Sequence, residues 1–109
     1  MIRRLLALLA VTLLLVGCGA PQAEPTTVEL VINDPATAET EEVEVPVGSE
    51  VTLRVVSDVD SDIHVHGYER IFDVTAGETV EDVFVANMAG AYEIESHDHD
   101  AIYMKLRVS

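Results

Sequence analysis

The chain has 109 residues, with 20 acidic side chains against six Lys and Arg and a formal net charge of −14. That balance excludes recognition of nucleic-acid phosphates, which needs a basic surface. A single cysteine and no tryptophan leave one small domain with a modest core and no disulfide framework.

The chain opens MIRRLLALLAVTLLLVG, with Arg3 and Arg4 followed by an apolar run from Leu5 to Val16. The run is too short for a membrane span and has the order of a signal peptide. Leu15-Val16-Gly17-Cys18 resembles a bacterial lipobox. The resemblance implies that residues 1–17 are a lipoprotein signal peptide and that Cys18 becomes the lipidated first residue. Residues 18–26, which include APQAEP, then form a short tether, and the domain occupies residues 27–109. A lipidated Cys18 leaves the domain no thiol for metal ligation or nucleophilic chemistry.

All 20 acidic residues lie beyond Cys18, whereas Arg3 and Arg4 precede it, so the mature chain carries −16. Anionic lipid repels such a surface. The lipid at Cys18, and not surface charge, is expected to hold the protein on the extracytoplasmic face of the cell-envelope membrane. Metal ions and a basic protein partner are the partners that the charge favours.

From the tether onward, short segments alternate with period two between Gly, Pro, Asn and Asp breaks. The pattern predicts strands at Thr27–Ile32, Glu42–Val45, Glu50–Ser57, Ile63–Tyr68, Phe72–Thr75, Thr79–Val85, Ala91–Ser96 and Ala101–Val108. Val51, Leu53 and Val55 share one face of their strand, and Tyr92 and Ile94 alternate with Glu93 and Glu95. This is the half-buried pattern of an all-β sandwich of seven or eight strands.

VEVPVGSEVTLRVVS, then DIHVHGYE, then TAGETVEDVFVANMAGAYEIES with a His/Met tail, together resemble a cupredoxin domain over Thr27 to Val108. The resemblance implies a Greek-key β-sandwich with a copper site fed by an upstream His and a Cys-His-Met loop near the C-terminus. The upstream His place falls on His64 or His66. The cysteine place falls on Ser96, the next histidine on His99 and the methionine on Met104. A serine hydroxyl cannot supply the thiolate of a blue-copper electron-transfer centre.

The four histidines form two His-x-His pairs, His64 with His66 and His97 with His99. On a strand, positions two apart project to one face, so each pair can present two imidazoles side by side. His64, His66, His97, His99 and Met104 are therefore the candidate metal ligands, with copper the expected ion and zinc the alternative. The expected centre joins His99 to one of His64 and His66, with His97 and Met104 as auxiliaries. Asp62, Asp98 and Asp100 flank the pairs as candidate outer acceptors. The opposite reading is open as well: if Ile63 and Val65 face the core, His64 and His66 face solvent and need no ligand. HVH is also similar to a stretch of copper–zinc superoxide dismutase, but the chain lacks that family's disulfide and long loops. With no hydrolase triad or phosphate loop, the expectation is a non-enzymatic copper-binding protein for storage or delivery. A metal-free accessory module is the alternative.

Overall fold

A computed structural model describes residues 24–109. The expected signal peptide and Cys18 lie outside the described residues. Eight strands form: β1 (Thr26–Ile32), β2 (Glu41–Val45), β3 (Ser49–Ser57), β4 (Ser61–Val65), β5 (Arg70–Val74), β6 (Thr79–Ala86), β7 (Gly90–Ser96) and β8 (Ala101–Val108). One 3-10 turn, Pro35–Thr37, interrupts them; Asp34 starts it by accepting the Ala36 N–H at 2.9 Å.

The strands make two sheets in the orders β1-β3-β6 and β2-β8-β7-β4-β5. β1 runs parallel to β3 and β2 parallel to β8, while the other pairs are antiparallel. The chain changes sheet after β1, β2, β3, β5 and β6, which gives the Greek-key sandwich. Alternation explains the layers. Val51, Leu53 and Val55 of β3, Ile63 and Val65 of β4, and Ile94, Met104 and Leu106 of β7 and β8 are sealed between the sheets. Burying each such side chain contributes about 1.5–3 kcal/mol. Arg70 closes the open side by a two-pronged bond to Asp82 of β6, at 2.9 and 2.6 Å.

Two local features shape the outer face of the five-stranded sheet. β4 ends at Val65 and not at Tyr68, because Gly67 takes φ +88 and the chain turns there. β7 and β8 slip register between Ile94↔Met104 and Glu95↔Ile102, so Tyr103 is the extra residue of a bulge. Bulges re-aim neighbouring side chains. Tyr103 is buried, and its hydroxyl lies 3.1 Å from Ser61 Oγ.

Candidate metal centre

Ile63 and Val65 face the core, so His64 lies on the outer face of the five-stranded sheet. It is nonetheless covered. β4 sits between β5 and β7, and His64 is opposite both Ile71 and Glu95. Only 11% of its side chain is exposed, against 19% for Glu95 and 67% for His97. The period-two run Glu93, Glu95, His97 explains this cover, because it continues the outer face of β7 into the loop.

Three donor atoms meet there. His64 Nδ1 is 3.1 Å from His97 Nε2, and Glu95 Oε1 is 3.5 Å from each of them. A point about 2 Å from all three atoms exists, and about 2.0–2.2 Å is the usual bond length of zinc to imidazole and carboxylate. The donor set thus has the size that a first-row metal ion needs. On its far side, His64 Nε2 is 3.3 Å from Glu69 Oε2. His66 is exposed, with its ring 5.3 Å from that of His64.

The remaining candidates lie apart from this trio. His99 Nε2 sits 2.8 Å from the Asp60 carbonyl oxygen and belongs to no group of converging donors among the described residues. The geometry therefore puts His97, and not His99, opposite His64. The physical reason is the loop: Asp100 at φ 50 folds residues 97–100 into a tight turn that carries His99 away from the outer face. Met104 is wholly buried, pairs with Ile94 and serves the core.

Ser96, where the resemblance expects the cysteine, is buried with 3% exposure. Its hydroxyl donates to Asp62 Oδ1 at 2.5 Å and accepts the His99 N–H at 3.1 Å. Asp62 also accepts the His97 N–H at 2.9 Å and the Asp98 N–H at 3.0 Å. Burial pushes the Asp62 carboxyl up, but these three bonds, with one from its own backbone N–H, outweigh it and hold the carboxyl below its ordinary value. Asp62 thus holds the backbone that carries His97 and touches no imidazole. Glu95 and Glu69 are the site residues that a search for histidine pairs passes over. The signal for Glu95 is Glu-x-His at strand spacing; Glu69 has none.

No family model matches the chain, and no curated protein matches it. Solved structures do. The chain resembles the periplasmic domain of subunit II of cytochrome oxidase from Bradyrhizobium japonicum with a TM-score of 0.62 at 18% identity, over 82% of this chain and 86% of that one. A copper binding protein solved in its apo form gives 0.60 at 12%, over 84% and 100%. A heme-copper terminal oxidase gives 0.61 at 22%, over 76% of this chain and 64% of that one. The fold is cupredoxin-like. The cupredoxin-like sandwich spans less than two thirds of the terminal-oxidase chain, and at these identities the likeness is one of fold.

Proposed function

We propose that this cupredoxin-like domain binds one copper ion through His64 Nδ1, His97 Nε2 and Glu95 Oε1. The observation that carries the reading is the donor triangle of 3.1, 3.5 and 3.5 Å around a nearly buried imidazole. Two imidazoles and a carboxylate suit Cu(II), which binds such donors more tightly than Zn(II). No thiolate or thioether stands in the trio, so Cu(I) is disfavoured and the blue-copper type is excluded. Exposed His97 leaves one side open for loading and release. That arrangement fits holding and handing over copper better than electron transfer, and the domain is read as non-enzymatic. The copper-binding protein and oxidase structures of the same fold support this reading.

The experiment is titration of the purified domain with Cu(II), Cu(I) and Zn(II). The expected order of affinity is Cu(II) above Zn(II), without an intense copper–thiolate band. His64→Ala, His97→Ala and Glu95→Gln should each weaken Cu(II) binding by about 10-fold or more, and His99→Ala should leave it within a factor of about two. Equal effects of His97→Ala and His99→Ala would overturn the ligand set.

We also propose that Cys18 is lipidated and tethers the domain to the outer side of the cell membrane. The motivation is Leu15-Val16-Gly17-Cys18 behind a charged start and an apolar run. The Cys18→Ser protein should leave the membrane fraction; a cleaved form that stays there would sink the anchor.

A second reading rests on another observation. Among the described residues, every buried side-chain polar atom already has a hydrogen-bond partner. The histidine cluster therefore closes on itself without a metal, as it would in an accessory module whose acidic surface meets a basic partner. Failure of all three metals to bind would select that reading.

A further inference from the structure

We infer that Glu69 is a positioning residue that fixes the proton of His64 on Nε2 and so keeps Nδ1 free as a metal donor. The inference rests on the metal reading of the His64–His97–Glu95 site for its consequence, but its first half concerns the metal-free protein alone.

The turn that carries Glu69 is pinned on both sides of it. The His66 N–H donates to the Glu93 carbonyl at 2.9 Å. Gly67 lies against the Tyr92 ring; a Cβ there would collide with Tyr92 Cδ1. The Tyr68 hydroxyl donates to the Met88 carbonyl at 2.8 Å and accepts the Met88 N–H at 3.2 Å. Arg70 is clamped on Asp82. Between these anchors Glu69 stands at φ 52, in the left-handed region where glycine is at ease and glutamate is not. Among the described residues its carboxylate has one side-chain partner, His64 Nε2 at 3.3 Å. A strained backbone position thus holds a carboxylate against one imidazole nitrogen.

That contact decides between two forms of the ring. A neutral imidazole carries one N–H, and an ionised carboxylate only accepts. His64 has a carboxylate at each nitrogen: Glu69 at Nε2, 3.3 Å away, and Glu95 at Nδ1, 3.5 Å away. The two compete for a single proton, while His97 Nε2, 3.1 Å from Nδ1, can accept from an Nδ1–H or donate to a bare Nδ1 and so suits either form. If Glu95 wins, Nδ1 is protonated and cannot ligate. If Glu69 wins, the Nδ1 lone pair faces His97 and Glu95. The nearer Glu69 is therefore the residue that arms the site, as carboxylates behind metal-bound histidines generally do.

The test compares the parent with Glu69→Gly and Glu69→Gln. Imidazole 15N–1H correlation spectra of the metal-free proteins at about pH 8, well above the free-imidazole value of about 6.5, report the tautomer directly. The parent should show His64 as Nε2–H. Glu69→Gln keeps an acceptor oxygen and should keep that form, whereas Glu69→Gly should shift His64 towards Nδ1–H. Because glycine relieves the φ of 52, Glu69→Gly should melt no lower than the parent, which separates positioning from scaffolding. Its Cu(II) affinity should fall about 10–100-fold, with Glu69→Gln between. An unchanged Nε2–H form in Glu69→Gly overturns the inference, and so does a shifted tautomer with the Cu(II) affinity of a copper-binding parent left unchanged. A parent that binds no Cu(II) while Glu69→Gly still shifts the tautomer overturns the metal reading and supports the proton-holding role.

Discussion

At the scale of single residues, the decisive position is Ser96, where the cupredoxin resemblance expects a ligating cysteine. Its hydroxyl is part of a hydrogen-bonded brace with Asp62. Asp62 collects three donors, and the balance of burial and bonding lowers its pKa below the ordinary value of 3.8. With the folded-state pKa below that of the unfolded chain, the ionised carboxylate stabilises the fold above about pH 4, and this is lost as pH falls through the lower, folded value. Asp62→Asn should therefore be less stable than the parent at neutral pH, and the gap should close in strong acid. The difference at neutral pH is about 1 kcal/mol, at the low end for charged hydrogen bonds because the half-buried group is screened by water. Urea unfolding of both proteins at about pH 7 and about pH 2.5 measures it. A gap of the same size at both values would mean that the carboxylate's charge plays no part.

At the scale of elements, most strands could be read from alternation because both faces of each sheet have clear owners. β8 has the ends that the pattern predicts, and β1, β2, β3 and β7 differ from it by one residue at the start. β4 was legible only in part. Ile63-His64-Val65-His66 keeps its period past the true end, and nothing in that alternation marks the turn. The turn is made by a tertiary fit: Gly67 must lie under Tyr92, and Tyr68 must reach Met88, 20 residues away. The same limit applies to the site. That His64 and His66 share a face is a consequence of β spacing. Whether His97 or His99 joins them depends on where β7 ends and how tightly residues 97–100 turn, and Asp62 sets that through long-range bonds. Family spacing points to His99, while strand period points to His97 with Glu95. In this fold the strand period prevails because Glu95 is still within β7, opposite His64. The bulge at Tyr103 lies on the neighbouring strand, where Glu95 faces Ile102, so the outer face is locally reshaped beside the donor trio.

At the scale of the whole molecule, the proposed copper site links metal binding to folding. The donors come from β4, from β7 and from the loop after β7, and these converge only when the sandwich is formed. The unfolded chain keeps its histidines but not their convergence, so copper should favour the folded state by mass action. At a free Cu(II) concentration about 100 times the Kd, the gain is about 2.7 kcal/mol. For a domain of this size each kcal/mol moves Tm by roughly 4–8 °C, so the parent should melt on the order of 10–20 °C higher with copper. The net charge of −14 for the full sequence adds weak, delocalised cation binding, which salt screens. The comparison is therefore made at about 0.15 M salt, with Mg(II) as the control cation. His97→Ala retains the acidic surface and the sandwich, since His97 is largely exposed, but it lacks one corner of the donor triangle. With affinity about 10-fold lower or more, its Tm should rise with Cu(II) by no more than about half as much as the parent's at the same Cu(II) concentration. A copper-induced rise in His97→Ala equal to that of the parent would place the bound metal elsewhere on the acidic surface.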